Sequence, residues 1–263
     1  MRSFDFLMRQ RLAVGLVFLG ILIASYVAVV VTEYDVVKGF QSIPKAVIWS
    51  SENFYPDEKS LKRLPKIIAK MQETLVTAVT ATTCAAFVGF LVAILGANAT
   101  RPHWVFSIVS RAIASLFRNV DVSAWSLILL FSFGQSMFTG YLALFFVTFG
   151  FMVRMLMETI DLSSADTIEA LRATGASPSA VITQSVIPTC MPQFVSWTLF
   201  MIETNIRSAT LVGILTGTGI GNLFDIYYKS LNYHAASLVI VVIVIAVLLI
   251  ESVSNAIRRV VLQ

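Results

Sequence analysis

Four ionisable residues lie within long apolar stretches of this sequence, where charged side chains are uncommon. Arg118 and Asp121 are three positions apart, and Glu203 and Arg207 are four apart, which places the second pair on one face of a helix. A charge at the centre of a bilayer costs about 2.5–3.5 kcal/mol, so such residues normally face a protein interior or a wet path. Two interpretations stay open: the charges neutralise each other and help to pack helices, or the two arginines line a path for an anion.

The composition around these residues indicates a membrane protein. The chain has 263 residues, of which 57% are hydrophobic and 13% charged, and its mean hydropathy is +0.82. Because a soluble domain carries about 25% charged residues, this chain has too few charges to coat a water-facing surface. Its net charge is +4, but the basic residues are scattered over the flanks of the apolar runs, which argues against a nucleic-acid interface.

Uncharged runs predict about six membrane-spanning helices, so the predicted fold class is an all-α, polytopic membrane helix bundle. The first run, residues 12–31, is longer than the apolar core of a signal peptide (about 7–15 residues), so we expect it to be retained as a span. The 32 uncharged residues between Asp121 and Arg154 are too many for one crossing, and the polar stretch 134–140 divides them. The predicted spans are residues 12–31, 74–100, 104–133, 141–157, 194–216 and 235–255.

Six spans place both termini on the same side of the membrane, but the basic residues do not show which side this is. With the termini inside, nine basic residues lie inside and eight lie outside, which is no bias under the positive-inside rule. The orientation therefore has to come from another feature.

The connection between the first two predicted spans contains an amphipathic segment. Leu61, Leu64, Ile67, Ile68 and Met71 recur at helical spacing, with lysine and arginine residues between them. Such a helix either lies on the membrane surface or forms a contact surface for a partner protein.

Residues 158–193 predict two short helices joined at a glycine. Ser164 can cap the N-terminus of the first helix, and Gly175 can take the positive φ that a helix C-cap favours. A second helix begins at Pro178 and is expected to stop at Pro188. The pair forms either a compact protruding knob between two spans or a simple connection.

This segment also carries a motif with a specific spacing, formed by Glu169, Ala170, Leu171, Gly175, Ile187 and Pro188. It resembles the EAA loop of ABC importer permeases, which reads Glu-Ala-Ala, three residues, Gly, nine residues, Ile, one residue, Leu-Pro. The spacing from Glu to Pro is kept. Leu171 stands where the loop has alanine, Ser185 where it has isoleucine and Ile187 where it has leucine.

The resemblance implies an orientation and a partner. In that family the loop faces the cytoplasm and docks into a groove on the ATP-binding subunit, so both termini would be cytoplasmic. The motif residues and Arg172 would couple the chain to the ATPase. Residues 1–73 would then hold the first span and an external loop with the amphipathic helix, residues 74–256 the permease domain with coupling helices at 164–188, and residues 257–263 a cytoplasmic tail.

Three further stretches look like permeases of the phosphonate transport family. They are Arg118-Asn119-Val120 with Trp125, residues 203–213 and residues 217–221, and the resemblance covers about residues 74–256. The family signatures read approximately R-x-I-P, E-x-N-x-R-x-A-T-x-x-G and G-A-G-G-I-G; Asp121 replaces the usual proline, and Thr218 departs from the third signature. The resemblance implies a type I ABC importer permease that imports phosphonate or a related phosphorus oxyanion, such as phosphite or a phosphate ester. The translocation path would include Arg118, Asp121, Glu203, Asn205 and Arg207.

The same resemblance implies which molecules the chain works with. Its partners would be a dimer of ATP-binding cassette subunits, an external or periplasmic phosphonate-binding protein, a second permease copy that is identical or a paralogue, and the lipid of a bacterial inner membrane. Residues 213–221 contain four glycines but no G-x-x-x-x-G-K-[ST], so they predict close helix packing or a flexible bend and not a nucleotide site. ATP and Mg²⁺ would be used by the partner, and the chain itself would bind no cofactor.

Two alternatives to this function stay open. The first is an importer for another small solute, such as an amino acid or a different oxyanion, and the second is a membrane-embedded enzyme. An enzyme needs a convergent set of reactive groups, but His103 and His234 both lie near predicted membrane edges, and Cys84 and Cys190 are isolated. The sequence therefore predicts no catalytic residue and no metal site.

Overall fold

The computed structural model describes residues 2–163 and 165–261, and every regular element in these two ranges is helical. Five helices are long and apolar enough to cross a membrane, and a bent pair of helices adds a sixth. The predicted all-α bundle of about six spans is thereby confirmed. The chain divides into two compact units, residues 1–54 and residues 55–263.

The first unit consists of two helices, α1 (Arg2–Val31) and α2 (Val36–Asn53). The turn between them contains Glu33 in the left-handed region, with φ of 51°, and Asp35 caps α2 by accepting a hydrogen bond from the Lys38 N–H at 2.9 Å. The sequence predicts a loop at residues 36–53, so helix α2 is not predicted from the sequence. The first span at residues 12–31 is confirmed as part of α1.

The second unit opens with a short helix, α3 (Glu58–Leu61), followed by the long helix α4 (Leu64–Gly96). The Ser60 N–H donates to the Asp57 carboxylate at 2.7 Å, which caps α3 and lowers the pKa of Asp57. The amphipathic segment at residues 61–71 is not a separate helix on the membrane surface, because most of it belongs to α4 and part of its apolar face is buried, while Leu61 and Ile68 stay 50% and 44% exposed. Ile67 and Met71 are 0% and 4% exposed and pack in the core, and no helix breaker separates them from the rest of α4. A partner contact at this segment stays a prediction.

The third predicted span, residues 104–133, is not one helix. It consists of α5 (Trp104–Asn119) and α6 (Val122–Phe133), which meet at an angle of 91°. Asp121 adopts an extended backbone and accepts a hydrogen bond from the Ser123 N–H at 2.8 Å, so its side chain starts a new helix. The predicted break at residues 134–140 is confirmed but shorter, since α6 is capped by Gly134, with φ of 71°, and α7 (Met137–Ser163) begins three residues later.

The short helices after α7 run directly into the fifth span. They are α8 (Ala165–Ala173) and α9 (Pro178–Val181), followed by a π-helical turn (Ile182–Val186) and α10 (Ile187–Thr216). The expected stop at Pro188 is wrong. The Ile187 N–H donates to the carbonyl of Ile182, five residues back, and this wider turn lets the helix continue through a proline that has no N–H of its own. Ser164, the predicted cap of α8, lies outside the described residues.

The chain ends with α11 (Gly219–Lys229) and α12 (Tyr233–Val261). The sixth span at residues 235–255 is confirmed, but the helix continues to Val261, so residues 257–261 are not a separate tail. Two cores hold the second unit together. One joins α4, α5, α7 and α10 to the α8–α9 region around Met152, Leu156 and Val186; the other joins α4, α10, α11 and α12 around Ile206, Ile220 and Val239.

Glycines allow α10 and α11 to lie against each other. A Cβ atom on Gly221 would overlap the carbonyl oxygen of Thr210 and lie 2.8 Å from the Ile214 nitrogen, and one on Gly213 would lie 2.5 Å from the Thr218 carbonyl oxygen. The close-packing interpretation of residues 213–221 is therefore right. The backbone atoms in these contacts cannot move aside as a flexible side chain would.

Gly221→Ala should destabilise the protein by about 1–3 kcal/mol, because the added methyl group forces α10 and α11 apart. The measurement is the amount of monodisperse protein that survives heating in detergent. Gly20→Ala is the matched control, since its Cβ meets nothing within 4 Å. Equal stability of both variants would contradict the packing argument.

Candidate functional site

A tight turn joins α8 to α9, and the two helices with this turn, residues 165–181, are called the elbow below. Gly175 has φ of 78°, the Ala176 N–H donates to the Leu171 carbonyl at 3.2 Å, and the Gly175 N–H donates to the Arg172 carbonyl at 3.0 Å. This is the hydrogen-bond pattern of a Schellman cap. The predicted role of Gly175 as a C-cap is confirmed, and Ser177 caps α9 as the sequence indicates.

The elbow has one buried face and one exposed face. Ile168 and Val181 are 2% and 3% exposed and pack in the core, while Glu169 and Ala170 are exposed. The hydroxyl groups of Thr167 and Ser185 lie 2.6 Å apart and tie α8 to the π-helical turn. Ser185, which departs from the EAA pattern, thus makes a contact that isoleucine could not make. The elbow is a firmly held projection with a free outer surface.

The predicted coupling residues divide between these faces. Leu171 packs against the core, Ile187 and Pro188 belong to the first turn of α10, and Arg172 points back toward the loop between α4 and α5. The guanidinium of Arg172 donates to the carbonyl oxygen of Ala99 at 2.7 Å. Glu169 and Ala170 are therefore exposed motif residues of α8 that a partner could contact, together with the turn at Gly175.

The predicted pairing of Arg118 with Asp121 is wrong. Asp121 uses its carboxylate to cap α6, and among the described residues Arg118 forms no ion pair. Arg118 lies in the last turn of α5, at the 91° bend, and not in the middle of a straight span. Helix α7 passes close to this bend, because a Cβ atom on Gly150 would lie 2.6 Å from the Arg118 backbone nitrogen.

The predicted pair of Glu203 and Arg207 is present and has a third member. Arg207 lies 3.4 Å from one carboxylate oxygen of Glu203, and Arg258 of α12 donates to the other at 3.0 Å. The Glu203 side chain is 13% exposed, whereas that of Arg207 is 50% exposed. Sequence reasoning missed Arg258 because it assigned residues 257–263 to a tail. The absence of glycine and proline between residues 233 and 261 is the signal that could have extended the helix.

Asn205 lies inside the bundle and away from solvent. It is 3% exposed, and its amide group donates to the hydroxyl oxygens of Thr82 at 2.7 Å and Thr148 at 2.6 Å. These two hydrogen bonds connect α10 to α4 and α7. In this conformation Asn205 joins three helices, and its membership of the translocation path stays a prediction.

The remaining candidates for chemistry have structural contacts. His103 caps α5 through the Val105 N–H, and a ring nitrogen of His234 lies 2.8 Å from the carbonyl oxygen of Tyr55. Cys190 is buried as expected of a packing residue, but Cys84 is exposed. Within residues 2–163 and 165–261, no group of three or more His, Cys, Asp or Glu side chains is placed to hold a metal ion.

Residues 85–263 match the family model of the binding-protein-dependent transport system inner membrane component. The chain belongs to this family. It is 26% identical over 251 residues to the phosphite transport system permease protein PtxC of Stutzerimonas stutzeri, covering 95% of this chain and 89% of that protein. It is 28% identical over 191 residues to the phosphate-import permease protein PhnE of Mycolicibacterium smegmatis, covering 73% of this chain and 36% of that protein.

A solved structure of the MetNI methionine ABC transporter in an inward-facing conformation contains a chain with the same fold. The TM-score is 0.67 at 22% identity, over 78% of this chain and 99% of that chain. This likeness shows the fold alone, which is that of an ABC importer permease. The chain is a multi-pass membrane permease subunit and not an enzyme, since ATP hydrolysis in this family belongs to a separate subunit. The membrane-embedded enzyme is therefore the wrong alternative.

Thr82→Ala should destabilise the protein by about 1–2 kcal/mol, because it removes one of the two buried acceptors of the Asn205 amide. Thr83→Ala is the control: Thr83 is exposed on the same helix, and its hydroxyl donates only to carbonyls of α4. Thermal stability in detergent should fall for the first variant and stay unchanged for the second. The opposite order would show that Asn205 does not hold the three helices together.

Proposed function

We propose that this permease subunit imports a phosphorus oxyanion, such as phosphonate, phosphite or a phosphate ester, by alternating access driven by ATP hydrolysis in a partner subunit. The similarity to the phosphite permease PtxC over 95% of the chain is the observation that carries the proposal. The positive charge of Arg118, Arg207 and Arg258 supports it. The chain itself binds no nucleotide, and the partner uses ATP and Mg²⁺.

The Glu203 cluster provides positive charge suited to such a substrate. One carboxylate is shared by two guanidinium groups, Arg207 and Arg258, so the cluster carries an excess positive charge. Arg207 is half exposed, and its ion pair with Glu203 is long at 3.4 Å, which leaves its other N–H groups able to bind an anion. The planar guanidinium can donate two parallel hydrogen bonds to a phosphorus oxyanion.

Arg118 offers a second cationic group at the bend between α5 and α6. It is exposed in the single chain and forms no ion pair with any described residue. A second permease copy, identical or a paralogue, would double both arginines around a shared path. We assign Asp121 to the path because it lies at the same bend. Its carboxylate accepts a hydrogen bond from the Ser123 N–H and so caps α6.

The elbow is the proposed contact with the ATPase. Its exposed face presents Glu169, while its buried face is fixed in the core, so a force on the elbow reaches α10 through the continuous helical segment 178–216. Helices transmit such displacement because they are stiff elements that move as units. The elbow would lie on the cytoplasmic side of a bacterial inner membrane, together with both termini, and an external binding protein would deliver the substrate to the opposite side.

Glu169→Lys should abolish co-purification of the permease with its ATP-hydrolysing subunit, because it reverses a charge on the exposed face of the elbow. Gly175→Pro should do the same, since φ of 78° is closed to proline. Glu52→Lys, an exposed charge reversal in α2, is the matched control and should leave the complex intact. A complex that survives Glu169→Lys would contradict docking at the elbow.

Arg207→Gln and Arg118→Gln should each lower uptake of phosphite or methylphosphonate about 10-fold or more in cells that lack other phosphorus importers, because each removes a charge-assisted hydrogen bond to the anion. The Lys229→Gln control removes a cation from an exposed ion pair with Asp225 and should leave uptake unchanged. Normal uptake in both arginine variants would contradict the path. Uptake of methionine instead of phosphorus oxyanions would favour the amino acid alternative.

A further inference from the structure

The loop between α4 and α5, residues 97–103, begins with a tight hydrogen-bonded turn. The N–H groups of Thr100 and Arg101 donate to the carbonyl oxygen of Ala97, and the hydroxyl of Thr100 donates to the carbonyl of Ile94. Ala97 is fully buried. These hydrogen bonds tie the turn to the end of α4.

Both backbone polar groups of Ala99 in this turn are bound by charged side chains from other helices. The Ala99 N–H donates to the Asp161 carboxylate of α7 at 3.0 Å, and its carbonyl accepts from the Arg172 guanidinium of α8 at 2.7 Å. The second oxygen of Asp161 accepts from the side-chain amide of Asn98 at 2.8 Å. We call Asp161, Arg172 and the Asn98–Ala99 turn the Ala99 clamp.

Neither charged side chain in the Ala99 clamp has an ion-pair partner among the described residues. Asp161 and Arg172 instead direct their charges at a single peptide turn, and hydrogen bonds to ionised groups are shorter and stronger than neutral ones. A cavity lined by Thr100, Arg172 and Pro178 lies between the turn and the elbow. Arg172 lines this cavity, and its hydrogen bond to the Ala99 carbonyl joins the elbow directly to the turn.

Arg172 also takes part in the elbow itself. Its backbone carbonyl accepts the Gly175 N–H in the Schellman cap, so the residue that completes the turn of the elbow also holds Ala99. A displacement of the elbow must therefore move Ala99, change the conformation of the Arg172 side chain or break this hydrogen bond. Ala99 lies five residues before the first residue of α5, so movement of Ala99 would act on α5 through the short segment 100–103, and α5 ends at the bend next to Arg118.

We infer that Asp161 and Arg172 are positioning residues that transmit movement of the elbow to α4 and α5 through Ala99, a second route beside the direct connection of the elbow to α10. The inference rests on the proposed function, in which the ATPase moves the elbow. It also gives Arg172 a role inside the permease in place of the predicted contact with the ATPase.

The test uses the complete transporter in proteoliposomes, with its ATPase and binding protein, and measures substrate imported per ATP hydrolysed. Arg172→Ala should leave the complex assembled and ATP hydrolysis continuing, while import per ATP falls about 10-fold. Arg172→Lys should restore part of this ratio, because a lysine can still donate to the Ala99 carbonyl. Arg101→Ala, in an exposed arginine of the same loop, is the control and should leave the ratio unchanged.

Asp161→Ala should lower the same ratio, and the double variant with Arg172→Ala should be no worse than the poorer single variant, because both side chains act on one peptide turn. Hydrogen exchange of residues 97–103 should accelerate in Asp161→Ala, which reports on the Ala99 clamp independently of transport. The inference would be overturned by unchanged hydrogen exchange of residues 97–103 in Asp161→Ala. It would also be overturned if both single variants imported as much substrate per ATP as the unmodified transporter.

Failure of this inference differs from failure of the proposed function. If Arg172→Ala releases the ATPase, Arg172 is a docking residue, and the inference is overturned while the importer function stands. If the unmodified chain forms no complex with an ATPase, the proposed function itself fails. Glu169→Lys should release the ATPase, so in the same experiment it serves as the reference for a loss of docking.

Discussion

In the apolar interior of a membrane bundle, a polar group is stable only when another part of the chain completes its hydrogen bonds. This constraint determines how the helices of this permease are joined. Asn205 can be buried because Thr82 and Thr148 accept from its amide, and Glu203 because Arg207 and Arg258 share its carboxylate. Each polar residue thus links the helix that carries it to a neighbour, and the bundle is specified by these links as well as by its apolar packing.

The same constraint explains the irregular parts of the fold. Asp121 satisfies a free N–H at the start of α6, so the third span can bend by 91°. The π-helical turn at residues 182–186 accommodates Pro188 without ending the helix, which leaves the elbow joined to α10. Irregular backbone therefore lies at the places where the proposed mechanism needs movement or a change of direction.

The proposed function depends on two features of the structure. The elbow has one buried face and one exposed face, and arginines lie in the Glu203 cluster and at the bend after α5. The elbow is anchored by Ile168 and Val181 and exposes Glu169, so it can receive force from a partner without unfolding. From it, the helix through Pro188 leads toward the Glu203 cluster, and the Ala99 clamp leads toward the bend at Arg118. In the proposed mechanism both routes end at arginines that bind an oxyanion, and they would connect ATP hydrolysis in a partner subunit to solute movement in this one.

The sequence by itself determined the membrane class, the approximate spans, the break at Gly134 and the cap at Gly175, because these depend on composition and on local backbone preferences. It indicated the family through its resemblance to the EAA motif. Only the tertiary structure decided the partners of each polar group. The amphipathic segment around Ile67 faces the core and not a membrane surface, Asp121 caps a helix instead of pairing with Arg118, and Arg258 reaches Glu203 from 55 residues away. Sequence periodicity shows which face of a helix is polar or apolar. It does not show which atoms pack against that face or complete its hydrogen bonds, because distant segments of the chain supply them.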